Sequence, residues 1–324
     1  MVDWSGHARQ STERRYRGMA ERQLRGVSPS YERLCLGVAG DPELIARLDT
    51  LPPPNRQPNL LLATVRFLGG PVEDYPRFRA FVLDRWDDVS ATLLERRTQT
   101  NEPRRCATLL PALAALPQPV ALLEVGASGG LCLYPDRYAY RYDERPVVGS
   151  APLVLDCRTS GPVPFPESLP EVVWRAGLDL HPLDVNDDED VRWLRSLIWP
   201  EQTDRFTVLD AAVAIARTDP VPVHQGDLLT DVVALGERAP ADATLVVYHS
   251  AVLAYLPEER RGEFRAQLAD LGRQRRTVWL ANEGPKVAVD FPVPPGSVPF
   301  VLSRDGVPLA TADPHGGWLD WLPR

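Results

Sequence analysis

The chain has 324 residues, 44% hydrophobic and 25% charged, so it carries enough apolar content for a sizeable core and is not a disordered tail. Its net charge of −8 argues against bulk, charge-driven nucleic-acid binding. No stretch approaches the ~20 apolar residues that span a bilayer, and the polar start MVDWSGHARQ lacks the apolar run of a secretory signal. A cytoplasmic protein without a membrane partner is expected.

Lys286 is the one lysine among 36 basic residues, which reads as codon bias and removes arginine counts as evidence for phosphate recognition. The cysteines Cys35, Cys106, Cys132 and Cys157 form no Cys-x-x-Cys pair and lie near no histidine. Buried free thiols are expected, and no metal site. Length suggests one large domain, or a core with a smaller partner.

Residues 1–20 are polar and expected to fray. From Ala20 to Leu116 the period is helical: YERLCLGVAG, DPELIARLDTL, NLLLATVRFLGG and YPRFRAFVLDRWDDVSATLLERR repeat apolar residues at i, i+3, i+4 and i+7. Four to five helices and no strand are predicted over 1–116. At Pro117 the texture changes. QPVALLEV reads as a buried parallel strand, and YAYRY, PLVLDC, VVWRAGLDL, VPVHQGDL, TLVVYHS and TVWLANE follow as strands. DDEDVRWLRSLIW, FTVLDAAVAIART and PEERRGEFRAQLADLG lie between several of them as helices, the alternation of a parallel sheet. Residues 137–172 look like an insertion, with YAYRYDE and PLVLDC paired as a hairpin. Asp305-Gly306 between two alternating runs predicts a C-terminal antiparallel hairpin.

The most informative stretch is ALLEVGASGGL. Glu124 ends the strand, and Gly126, Gly129 and Gly130 let the backbone turn sharply. The spacing G-x-x-G-G is not G-x-G-x-x-G, and no Gly-Lys-Ser/Thr follows, so a phosphate-gripping loop is excluded. A carboxylate at the strand end suits a ligand with an amine or a ribose. An acid at the end of the second strand of a nucleotide-binding sheet takes ribose hydroxyls. Asp179 fits because its strand leads into a helix, although it follows Glu124 at more than twice the ~20-residue spacing of an uninterrupted unit. Asp143 and Glu144 stand at the conventional spacing as rivals. Asp227 ends the next strand and is placed either beside an adenine amine or as a helix cap or loop acid.

Three further segments place polar groups at the carboxyl edge of the sheet. Tyr248-His249-Ser250 offers a histidine as general base, with a histidine satisfied by backbone contacts as the alternative. Asn282-Glu283 ends the strand TVWLANE, where a buried carboxylate should face a polar cavity or an arginine. The run Arg96–Arg105 holds Arg97, Thr100, Asn101, Glu102 and Arg105 as substrate contacts, with Asn101 as a helix cap in the alternative. His7, His224 and His315 have no nameable partner in the sequence.

A strand ending in Glu, the G-x-S-G-G loop, Gly-Leu-Asp, Gly-Asp-Leu, an apolar fourth strand and the terminal hairpin resemble the class I S-adenosylmethionine-dependent methyltransferases over 117–324. RTQTNEPRRCATLLP, LLEVGASGGLCL, GLDLHPLDV and SAVLAYLP resemble an uncharacterised bacterial family, a domain of unknown function. The methyltransferase resemblance implies an α/β, Rossmann-like mixed sheet preceded by a helical region on the substrate side. It implies S-adenosylmethionine as cofactor, held by Glu124, Gly126, Ser128, Gly129, Gly130, Asp179 and Asp227. Tyr248, His249 and Glu283 would serve catalysis, and Asn282 would join the substrate contacts. The expected acceptor is a small molecule, because Tyr248-His249-Ser250 replaces the Asn/Asp-Pro-Pro-aromatic motif of enzymes that methylate amino groups of nucleic acids. The alternatives are a ligand-binding protein on the same fold and a hydrolase built on His249 and Glu283.

Overall fold

The structure, a computed structural model, describes residues 11–293 and 299–323. His7 and most of the polar start lie outside the described residues. Residues 12–19, within the segment expected to fray, form a helix instead. Two units divide the chain by packing.

The helical unit comprises residues 11–100 together with Asp187–Thr207. Its helices are α1 (Thr12–Met19), α2 (Pro29–Ala39), α3 (Pro42–Asp49), α4 (Pro58–Phe67), α5 (Tyr75–Asp84), α6 (Trp86–Glu95) and α8 (Asp188–Ser196), and α9 (Thr203–Thr218) begins in it. Their starts follow local chemistry. Asp41 caps α3 by accepting from the backbone N–H groups of Glu43 and Leu44 at 3.0 and 3.1 Å, and Asp74 accepts from Arg77 at 3.0 Å to cap α5. The apolar stripes of α1, α2 and α4 bury Tyr16, Tyr31, Leu34 and Leu61.

The sheet unit comprises Asn101–Asn186 and Val208–Arg324. The helix α7 (Arg105–Ala114) packs with this unit, so division by packing differs from the division at Pro117 read from sequence texture. The strands are β1 (Val120–Val125), β2 (Ala139–Tyr142), β3 (Val154–Ser160), β4 (Val172–Asp179), β5 (Val223–Gln225), β6 (Thr244–Ser250), β7 (Thr277–Glu283), β8 (Phe300–Arg304), β9 (Val307–Ala312) and β10 (Trp318–Trp321). They form one sheet in the order β2-β3-β10-β9-β8-β7-β6-β1-β4-β5. The five strands β5-β4-β1-β6-β7 are parallel. The strands β8 and β9 make the expected antiparallel hairpin around Asp305-Gly306, both with positive φ, and β10 extends it.

The insertion differs from its prediction. The strands β2 and β3 pair in parallel, not as a hairpin, and β3 also pairs in parallel with β10. Strand-like alternation predicts a strand but not its partner. Asp143, at positive φ after β2, accepts from the Thr159 backbone N–H at 2.9 Å and from the Thr159 hydroxyl. It therefore joins β2 to β3.

The main core lies on one face of the parallel strands. Leu123, Val125, Val247, Trp279 and Ala281 pack there against Val232 and Leu235 of α10 (Val232–Gly236) and Phe264, Leu268 and Leu271 of α11 (Glu258–Gln274). Among the described residues, no helix is long and apolar enough to cross a membrane.

Candidate functional site

The turn after β1 is built by backbone conformations that alternate in sign. Gly126, Ser128 and Gly130 have φ of 68°, 54° and 71°, a region that a side chain enters only with strain. The Gly126 N–H donates to Leu178 O at 2.7 Å, and the Gly130 N–H donates to Ala127 O at 2.7 Å. A Cβ on Gly126 would sit 2.3 Å from Cγ2 of Val252. The glycine thus permits close packing of one strand-end turn on another. Gly129 is buried in the same turn. A single 3-10 turn, Leu131–Leu133, follows rather than an α-helix. The turn therefore offers no helix N-terminus to a pyrophosphate.

Asp179, at the end of β4, ties this turn down. Its Oδ2 accepts from the Ser128 N–H at 2.8 Å and its Oδ1 from the His181 N–H at 2.8 Å. Asp179 is thus the acid that touches the glycine-rich turn, while Asp143 is committed to Thr159 and Glu144 is exposed on the turn beyond it. Asp227 accepts from the Leu229 N–H at 2.8 Å, and its own N–H donates to Asp231 at 2.8 Å. That closes a turn in the loop before α10 (Val232–Gly236), whose N-cap is Asp231, so Asp227 is a loop acid.

Neighbours along a strand point to opposite faces, and this separates the residues expected to act together. In register, Glu124 pairs with Tyr248, Tyr248 with Leu280, and Ser250 with Asn282. Glu124, Tyr248, Ser250 and Asn282 thus share one face, the one that carries Cys132 and Arg105. His249 and Glu283 lie on the other face, within the core against α11.

His249 is fully buried. Its Nδ1 lies 2.6 Å from Oε1 of Glu283, and the Trp279 indole N–H donates to its Nε2 at 2.9 Å. An indole nitrogen only donates, so Nε2 accepts and the proton sits on Nδ1, directed at Glu283. Neither ring nitrogen is left for a substrate proton. The expected general base is a satisfied core histidine, and the hydrolase built on it loses its base. The Tyr248 hydroxyl donates to Cys132 O at 2.9 Å. Burial holds that phenol well above its ordinary pKa, which removes it as a proton acceptor near neutrality.

The carboxyl ends of β1, β6 and β7 leave a buried polar cluster on the Cys132 face. Glu124 is 4% exposed, and its Oε2 has no hydrogen-bond partner. Burial pushes its carboxyl well above the carboxylate range. Cys132 and Asp179 push the same way, and Arg105 opposes them. Asn282 is fully buried. Its Nδ2 donates to Ser250 Oγ at 3.0 Å, and its Oδ1 has no partner. The Arg105 guanidinium donates to Pro314 O at 2.9 Å and to Ser250 O at 3.3 Å.

Asn101 accepts from the Leu131 N–H at 2.8 Å and so holds the far end of the glycine-rich turn, not the start of α7. The Glu102 side chain is buried, and its carbonyl accepts from the Cys132 thiol at 3.3 Å. Arg97 and Thr100 belong to the helical unit. There the Arg97 guanidinium donates to Leu94 O at 2.7 Å and Arg96 O at 2.9 Å, closing the end of α6. That is a helix-capping use of the side chain expected to contact substrate.

A cavity of about 560 Å³ lies elsewhere, lined by Arg265, Thr277, Trp279, Ala288, Asp305 and Pro308 among others. Thr277 starts β7, so the cavity opens at the amino end of the strand whose carboxyl end carries Asn282. Sequence reasoning missed the Trp279–His249 contact and the role of Val252. Neither residue belongs to a local motif that would have flagged it.

Fold and site together define a mixed α/β protein whose parallel strands end in a buried acid and an amide, beside an arginine of α7. The chain belongs to the family described as an uncharacterized protein conserved in bacteria (DUF2332), whose model matches residues 13–321. No curated protein and no solved structure matches the chain.

Proposed function

We propose that the chain binds S-adenosylmethionine at the carboxyl edge of β1, β4 and β6 and transfers its methyl group to a small molecule. The observation that carries this reading is the unpartnered, buried oxygen of Glu124. The sheet grows from β1 toward β4 and β5 on one side and toward β6 and β7 on the other. Ligands of open α/β sheets bind outside the strand ends at such a switch point. A buried acceptor there without a donor costs about 1–3 kcal/mol, and an ammonium group supplies the missing donor.

The residues present fit such a ligand. Glu124 would take an amine, and Arg105, whose guanidinium donates to the carbonyl oxygens of Pro314 and Ser250, would take a carboxylate. Asp179 holds the turn at Ser128 and would meet the hydroxyl groups of the ligand. When bound, the sulfonium supplies an activated methyl group. The chain then has to orient the acceptor, and proximity provides much of the rate. Asn282, with its free Oδ1, would accept from an N–H or O–H of that acceptor.

A second reading, a ligand-binding protein without turnover, is favoured by one observation. Tyr248 and His249, the two expected proton-handling groups, are both committed to partners within the fold.

Calorimetric titration with S-adenosylmethionine and S-adenosylhomocysteine tests the proposal. Saturable micromolar binding is expected, weakened about tenfold or more by Glu124→Gln. Absence of binding at millimolar ligand would overturn it. Binding of both ligands without turnover on any acceptor would favour the second reading.

A further inference from the structure

The fully buried pair Glu283–His249 lies behind the strand ends rather than among the site residues, and it grips a turn that reaches the site. Glu283 Oε1 accepts three donors: Nδ1–H of His249 at 2.6 Å, the Val252 N–H at 2.7 Å and the Leu253 N–H at 3.1 Å. Its Oε2 has no partner. The turn so held leaves β6 through Ala251, whose φ is 63°. A non-glycine residue at positive φ persists where its surroundings over-determine it. Arg261 of α11 holds the turn from its other side, with Nε donating to Leu253 O at 3.0 Å. Val252 in turn covers Gly126, at the distance where only a glycine fits.

These contacts form one connected chain from the core to the glycine-rich turn. The Trp279 indole fixes the tautomer of His249, His249 orients Glu283, Glu283 places Val252, and Val252 sets how closely the end of β6 approaches the end of β1. From this we infer that Glu283 and His249 are positioning residues. They form a latch that sets the crevice between the ends of β1 and β6, the place where the proposed ligand enters. The inference deepens the proposed function and rests on it for the ligand, but the latch itself is a property of the fold. The charged groups packed around it are Glu283 on β7 and Arg261 and Arg265 on α11. Arg265 lies over the Trp279 ring at 5.9 Å.

The test is hydrogen exchange read by mass spectrometry on the full chain, paired with S-adenosylmethionine affinity. It compares wild type with Glu283→Ala, Glu283→Gln and Trp279→Phe. In Glu283→Ala, exchange is expected to rise in 251–255 and in 126–131, and affinity to fall about tenfold. Glu283→Gln is expected to recover most of both, because its amide oxygen still accepts from Val252 and Leu253. Unchanged exchange at 126–131 in Glu283→Ala would overturn the latch. So would a rise spread evenly over the whole sheet, the mark of a purely structural role. If Glu283→Ala does not fold, Trp279→Phe decides, since it removes the indole donor and keeps an aromatic ring. Faster exchange confined to the same two segments supports the latch, and wild-type exchange there overturns it. If wild type binds no S-adenosylmethionine, the methyl-transfer reading falls, and the exchange pattern still decides the latch.

Discussion

The indole nitrogen of Trp279 donates to Nε2 of His249 at 2.9 Å, and that contact determines what the histidine can do. With Nε2 accepting and Nδ1 directed at Glu283, the ring is held between two partners in the core. His249→Ala would strand the Trp279 N–H and leave Glu283 with one donor fewer, beside a cavity. We expect a loss of about 2–4 kcal/mol, read as a lower urea midpoint. A variant with wild-type stability and abolished activity would contradict this geometry and restore the histidine to catalysis.

The same pair shows where the sequence is legible and where it stops being so. Apolar runs such as VALLEV and TLVVYHS are parallel central strands because both faces are buried, and their composition says as much. The Asp305-Gly306 turn is legible because few residues tolerate two successive positive φ values. Strand alternation also places Tyr248 and His249 on opposite faces, so their separation was readable in principle. What local pattern cannot show is a partner. Trp279 lies 30 residues from His249 on the next strand, and the alternation in β2 and β3 does not say that they pair in parallel. The role of Gly126 was half legible: the sharp turn was readable, whereas the occupant of its open side, Val252, came only with the fold.

Gly126→Ala is expected to destabilise the sheet unit. The new Cβ would meet Val252 Cγ2 at 2.3 Å, and φ of 68° disfavours any L side chain. Backbone strain contributes about 1–2 kcal/mol, and overpacking about 1–3 kcal/mol. The double variant Gly126→Ala with Val252→Ala should recover the packing part but not the backbone part. Thermal melts of the three proteins check this, and equal melting of the single and double variants would remove Val252 as the cause.

Asp179→Ala should loosen the turn from the β4 side. It removes the acceptor for the Ser128 and His181 N–H groups, worth about 0.5–1.5 kcal/mol for each bond. Amide exchange at Ser128 and His181 is expected to rise together, while the β8–β9 hairpin is unaffected. Asp179→Asn, which keeps one acceptor oxygen, should fall between the two. Exchange at Ser128 indistinguishable from wild type in Asp179→Ala would separate this acid from the turn.

Glu124 makes stability depend on pH. Burial raises its folded pKa above the unfolded value. Between those two values the folded chain keeps a proton that the unfolded chain has lost. Its contribution to stability is therefore full below the unfolded carboxylate pKa and is lost as pH rises through the folded one. Each unit by which the folded value is raised corresponds to about 1.4 kcal/mol. Glu124→Gln has no proton to lose, so its stability advantage over wild type should grow from pH 5 to pH 8. Urea midpoints across that range measure it, and parallel profiles for the two proteins would show that the acid is not held protonated. The same proton reports on the ligand. An ammonium group beside Glu124 favours the ionised carboxyl, so binding should release a proton near neutrality. Titration in two buffers of different ionisation enthalpy would then give different apparent heats for wild type and equal heats for Glu124→Gln. Equal heats for both proteins would place the ligand's cation away from Glu124.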